Sequence, residues 1–131
     1  MKSSPVVHFE MPARDKTRMA RFYTDAFGWK TQLLGEEMGG YVLATTTESD
    51  EQSGRPKMPG AINGGFFAQN EQGSEGTRIV ISVEDIQKAI AQVAQAGGKV
   101  EGTPVPIPGV GQFAVFTDTE GNRVGLLQPA M

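Results

Sequence analysis

The chain has no cysteine and only one histidine among its 131 residues. Without cysteine there can be no disulfide, thiolate metal site or thiol nucleophile, and the composition suits a reducing compartment. Lys and Arg nowhere form a run, and the formal net charge is −3. Nucleic acid is therefore not an expected partner, because a phosphate backbone demands a basic patch. No apolar stretch approaches the ~20 residues of a membrane span. His8, Glu10 and Arg14 interrupt any signal-peptide core near the N-terminus. These features predict a cytoplasmic protein with no membrane partner. The sequence also lacks a Ser–His–acid signature, a phosphate loop and a dinucleotide fingerprint; GGKVEG does not sit in the strand–loop–helix order that last motif needs. A chain of this length suits one compact domain, or two small halves sharing a core, and can fold without disulfides or a structural metal.

The stretch Val6 to Trp29 organises what is present. Pro5 to Met11 alternates as a strand, with Val7, Phe9 and Met11 on one face and Val6, His8 and Glu10 on the other. His8 is the first residue to suspect of acid–base or metal chemistry, since imidazole alone has an ordinary pKa near neutrality. Pro12 is expected to block further extension of the ladder. Asp15 is a helix N-cap. Met19, Phe22, Tyr23, Ala26 and Phe27 follow as an apolar stripe, and Gly28 closes the helix in a left-handed cap. Strands are expected over 29–34, 41–47 and 61–69. A polar, exposed and mobile loop is expected over 48–60. Two glycines inside AINGGFFAQ mark a bulge or the close approach of another group.

Asn70 to Gly76 reads as a linker, after which the pattern restarts. Arg78 to Val83 is a strand and Asp85 to Ala96 a helix ended by Gly97 and Gly98. Val100 to Gly109 carries three prolines and is confined to a sheet edge or an extended loop. Gly111 to Thr117 and Arg123 to Gln128 form a hairpin around DTEGN, where turn chemistry accounts for Asp118, Gly121 and Asn122.

Both halves thus read βαβββ, with modules at 1–69 and 77–131 and a linker at 70–76. Asp15 and Asp85 open equivalent helices 70 positions apart, and the same offset places His8 opposite Arg78. Gly65 in NGGFFA and Gly125 in RVGLLQ correspond by local pattern. Such duplication is a stronger sign than any single residue. It predicts an α+β fold in which two modules pair into a curved mixed sheet, with helices outside and a central cleft.

Four segments carry a family resemblance: VHFEMPARDKTRMARFYTDAFGWK at 7–30, INGGFF at 62–67, ISVEDIQKAIAQVAQAGGKV at 81–100 and PGVGQFAVFTDTEGNRVGLLQ at 108–128. Through them nearly the whole chain resembles the vicinal oxygen chelate superfamily, which contains glyoxalase I, bleomycin resistance proteins, extradiol dioxygenases and fosfomycin resistance enzymes. The small glyoxalase-like branch is the most similar. The resemblance implies paired βαβββ modules and, commonly, a homodimer. It also implies that metal enzymes of this kind take His or Glu ligands from the first and fourth strands of each module.

Those positions fall on His8, Arg78, Gly65 and Gly125. Only His8 keeps a ligand. Arginine holds its proton and has no lone pair to give, and glycine has no side chain. A catalytic divalent ion needs about three protein ligands and an open position. His8 and Glu10 supply two, and Asn63, Glu36 and Glu37 are the remaining donors. No cofactor and no family-type metal site is therefore expected. The two glycines are expected to leave room for a ligand, with Arg78 offering a planar fork to a carboxylate or phosphate oxygen or else pairing with Glu10. The expected ligand-binding set is His8, Glu10, Asn63, Gly65, Arg78 and Gly125, with His8 and Glu10 as the candidates for acid–base work. Trp29, Tyr41, Phe67 and Phe113 line either a ligand site or the core. Two function classes follow. One is a glyoxalase-like protein that binds a small, partly anionic molecule without metal. The other is a metal-dependent lyase, isomerase or oxygenase like glyoxalase I. Whether the ligand is turned over stays open.

Overall fold

The computed structural model describes residues 2–69 and 76–130. The elements run β1 (Val6–Ala13), α1 (Lys16–Phe27), β2 (Lys30–Leu33), β3 (Val42–Thr45), β4 (Asn63–Ala68), β5 (Arg78–Ser82), α2 (Ile86–Gln95), β6 (Lys99–Ile107), β7 (Gly111–Thr117) and β8 (Arg123–Pro129). The order is βαβββ twice, and each unit pairs its strands both parallel and antiparallel, which makes the fold α+β with mixed strand pairing. The chain divides into two compact units, His8–Thr77 and Arg78–Met131, the latter joined by Met1–Val7. The first residues belong with the second unit because Pro5 C=O accepts a hydrogen bond from Ser82 N–H at 2.9 Å. Lys2 also meets Glu84 at 2.7 Å. The linker expected at 70–76 lies, apart from Gly76, outside the described residues.

In the unit His8–Thr77 the strand order is β2-β3-β4-β1. β1 runs parallel to β4, with Glu10 opposite Gly65, and β3 runs antiparallel to β4, with Leu43 opposite Gly65. Asp15 caps α1 by accepting from Arg18 N–H, and Gly28 ends it at φ 74°. Only a residue without Cβ adopts that conformation freely. One sheet face packs on the helix through Ala13, Val42, Ala44 and Phe66, joined by Phe9, Met11, Met19, Tyr23 and Trp29. His8 and Glu10 alternate onto the opposite face.

Three details depart from the periodic reading. Pro12 does not stop β1, which continues to Ala13. In a parallel ladder a residue directs both its N–H and its C=O to the same neighbour, and the next residue to the other side. Ala13 C=O accepts from Gln69 N–H at 3.0 Å, so the missing N–H of Pro12 points away from β4 and no bond to that strand is lost. The apolar stripe of α1 is also narrower than its sequence suggests. Phe22 and Phe27 stay 57% and 65% exposed, forming an aromatic cluster with Tyr23 and Trp29 at the helix end. Finally, the 48–60 loop is exposed but closed on itself. Ser49 bridges Pro56, and Asp50 Oδ1 accepts from Gln52 and Ser53 N–H.

The second unit has strand order β5-β8-β7-β6. β5 is parallel to β8, with Val80 opposite Gly125, and β7 is antiparallel to β8, with Val115 opposite Gly125. The proline-bearing β6 lies at the sheet edge, with a register shift between Glu101 and Val105. Asp85 caps α2 by accepting from Gln87 and Lys88 N–H. Ile86, Ala89, Ala114 and Leu126 form the core with Ile81, Ile90, Val93 and Phe116. In the β7–β8 turn Asp118 Oδ1 accepts from Glu120 and Asn122 N–H.

Candidate functional site

Register fixes what the 70-residue offset suggests. Glu10 faces Gly65 in one unit and Val80 faces Gly125 in the other. His8 and Arg78 therefore stand two residues before equivalent positions, on the sheet face turned away from the helix. His8, Glu10, Asn63 and Gly65 lie in the unit His8–Thr77, whereas Arg78 and Gly125 lie in the second.

His8 is partly buried, and its Nε2 lies 2.9 Å from Tyr41 Oη. Burial holds the imidazole below its ordinary pKa of 6.5, and the Glu10 carboxylate opposes this only in part. The charged form loses hydration that nothing fully replaces. At neutral pH His8 is thus a neutral imidazole, able to accept a proton or a hydrogen bond at one nitrogen and to donate at the other. Glu10 is 8% exposed, the one buried charged side chain among the described residues.

Tyr41 is the residue the sequence leaves undecided. It precedes β3, two residues before Leu43, which faces Gly65. Its ring lies across Gly65, so that a Cβ built there would collide with the phenol. The next glycine does the same on the other face, where a Cβ at Gly64 would meet the Phe9 ring at 2.5 Å. β4 is thereby sandwiched between two aromatic rings at the points where it has no side chains. This is the close approach that interior strand glycine signals.

The second unit repeats the construction. Phe113 stands on β7 two residues before Val115, which faces Gly125. A Cβ at Gly125 would lie 2.9 Å from the Phe113 ring and 3.1 Å from Val80. The Arg78 guanidinium carbon sits 6.0 Å from the Phe113 ring centroid, within reach of a cation–π attraction. The room expected at Gly65 and Gly125 is therefore already taken. The glycines admit aromatic side chains of their own unit.

Asn63 faces His8 across the ladder, but its amide turns to the loop. Its Oδ1 accepts from Thr46 N–H at 2.8 Å, and its Nδ2 donates to Ser49 Oγ at 2.9 Å and Gly54 C=O at 3.4 Å. Asn63→Ala is expected to cost about 1–2 kcal/mol, mostly by stranding the Thr46 N–H, and to make the 48–60 loop more susceptible to limited proteolysis at native temperature. A proteolysis time course against the parent protein checks this. Glu36 opens a short 3-10 turn, Glu36–Met38, whose residues are not buried. Trp29 belongs to the core, 4.6 Å from Tyr23 between ring centroids. No group of three His, Cys, Asp or Glu residues is clustered to hold a metal ion among the described residues. The donor set thus does not fit a family-type divalent site. Two of its positions lack side chains, and rings cover the backbone there.

Among known proteins, the sequence model of the Glyoxalase/Bleomycin resistance protein/Dioxygenase superfamily matches residues 6–126. The chain belongs to this superfamily. It is 33% identical over 117 residues to a glyoxylase-like domain-containing protein of Didymella fabae, covering 86% of this chain and 84% of that one. It is 28% identical over 124 residues to the anthracycline biosynthesis protein DnrV of Streptomyces peucetius, covering 86% of this chain but 42% of the relative, so the match spans less than half of that protein. In structure it superposes on methylmalonyl-CoA epimerase of Mycobacterium tuberculosis with a TM-score of 0.67 at 14% identity, over 96% of this chain and 88% of the other. That likeness establishes the shared fold. No helix among the described residues is long and apolar enough to cross a membrane.

Proposed function

We propose that this glyoxalase-superfamily chain binds a small, oxygen-bearing, partly anionic organic molecule without a family-type metal, as a cytoplasmic homodimer. The observation that carries this reading is the His8–Tyr41 pair over Gly65. At the fourth-strand position Gly65, where a metal enzyme of the superfamily would place a ligand, this chain has the Tyr41 ring, hydrogen-bonded to the neutral imidazole of His8 on the first strand. Such a pair recognises a carbonyl, hydroxyl or carboxylate oxygen by hydrogen bonding. His8, with Glu10 on the same strand face, also has the protonation state of a general base. The name of the Streptomyces relative, an anthracycline biosynthesis protein, favours an aromatic or polycyclic ligand within that class. Arg78 is the anion-binding candidate of the second unit.

The test is elemental analysis of untagged protein incubated with Ni, Zn, Co, Mn and Fe(II) and then desalted. The expected result is substoichiometric metal. Stoichiometric retention would favour the metal-dependent lyase, isomerase or oxygenase reading instead. A thermal-shift screen of small carboxylates and hydroxylated aromatics then identifies the ligand. For a carboxylate hit, Arg78→Ala is expected to weaken binding about tenfold or more, the scale of one charge-assisted hydrogen bond. Titration calorimetry measures the change, and unaltered affinity removes Arg78 from the site.

A further inference from the structure

We infer that Gly65 with Tyr41, and Gly125 with Phe113, are two coupled glycine–ring pairs, and that the ring rather than the glycine alone closes each position to a carboxylate. The inference rests on the metal-independent reading above and extends it to residues that resemblance to the family does not single out. Three observations carry it. First, the geometry recurs. In each unit the ring belongs to the residue two places before the one facing the glycine, Tyr41 before Leu43 and Phe113 before Val115. Second, neither glycine has a backbone reason to be glycine, since neither is among the positive-φ residues of the chain. An L side chain would fit their conformation, and what excludes it is the ring. Third, each ring meets the equivalent first-strand side chain, Tyr41 through a 2.9 Å hydrogen bond to His8 and Phe113 beneath the Arg78 guanidinium. The ring thus occupies the place of the missing carboxylate and contacts the side chain that would otherwise have stood beside it.

The pairing changes what an attempt to restore a metal site requires. Gly65→Glu in one unit and Gly125→Glu in the other each put a ligand type at the fourth-strand register position, yet each carboxylate would arrive where a ring already lies. The rings must leave first.

A double-mutant cycle tests the inference. Gly65→Ala is expected to lower the melting temperature by about 5–10 °C, as overpacking does in a domain of this size. In a Tyr41→Ala background the same substitution is expected to be neutral or to raise it, because alanine suits a strand better than glycine once the ring has gone. Tyr41→Phe keeps the ring, so in that background Gly65→Ala must again be destabilising. This separates packing by the ring from the hydroxyl bond to His8. Equal effects of Gly65→Ala in the parent and Tyr41→Ala backgrounds would overturn the inference. Should Tyr41→Ala fail to fold, the Gly125→Ala and Phe113→Ala cycle asks the same question in the second unit, and additivity there overturns it equally. Stoichiometric metal in the parent protein would defeat the metal-independent reading while leaving the cycle's coupling intact, so the two failures are distinguishable.

Discussion

Phe66→Ala is expected to destabilise the protein by about 3–5 kcal/mol. Phe66 has no exposed surface. It stands on β4 directly after Gly65, opposite both Met11 of β1 and Val42 of β3. Its ring lies 5.7 Å from that of Tyr23 on α1. Truncation leaves a cavity in the layer between helix and sheet that backbone shifts refill only in part, since glycines 64 and 65 beside it have no side chains to repack. A domain of this kind has a total stability of roughly 5–15 kcal/mol, so the loss is a large share of the whole. It corresponds to a fall in melting temperature of roughly 10–20 °C. Urea denaturation should show a lower midpoint at unchanged slope, the mark of lost stability without a change in the surface exposed. A loss under about 1 kcal/mol would mean that β4 is not anchored through this ring. The consequence reaches the candidate site, because β4 is the strand against which Tyr41 rests.

Much of this architecture can be read from the chain, and the parts that cannot share a physical cause. The helix caps at Asp15 and Asp85, the Gly28 terminus and the Asp118–Asn122 turn depend on local hydrogen bonds, which side-chain identity announces directly. The edge position of β6 follows from its prolines, and the pairing of first and fourth strands agrees with the alignment of the two halves. Pro12 misleads because its effect depends on which neighbour its absent N–H would have faced, a property of the ladder rather than of the residue. Phe22 and Phe27 mislead because periodicity marks a face without saying how wide the sheet beneath it is. The roles of Tyr41 and Phe113, ligand site or core, stay undecided in the sequence for a related reason. Their link to Gly65 and Gly125 is a diagonal cross-strand contact, visible only once register is known. The glycines themselves carry a sign of close approach, but the approaching group belongs to a different strand.

His8 gives the second large effect, in the pH dependence of stability. Its pKa is lowered in the folded chain by burial, with Glu10 on its own strand opposing and Tyr41 bonded to the ring. Above the ordinary value of 6.5 the imidazole is neutral both folded and unfolded, and its contribution is fully present. As the pH falls below that value, the unfolded chain takes up a proton that the folded chain resists. Stability is then lost until the pH passes the lowered folded pKa, below which the loss stops growing. The slope contributed by this one group cannot exceed about 1.4 kcal/mol per pH unit, and partial exposure keeps it below that. The lowered carboxylates act in a separate window. Asp50 and Asp118, held down by hydrogen bonds within their own turns, and Glu84, held down by the hydrogen bond from Lys2, lose their contributions only as the pH falls through and below their ordinary 3.8 and 4.5. Between pH 7.5 and 5 the decline therefore belongs chiefly to His8. Urea midpoints measured across that range should fall steadily for the parent protein and stay nearly flat for His8→Gln, which keeps a hydrogen-bonding side chain but cannot titrate. If His8→Gln retains the full slope, another group titrates there, and the neutral imidazole on which the proposed ligand recognition depends loses its support.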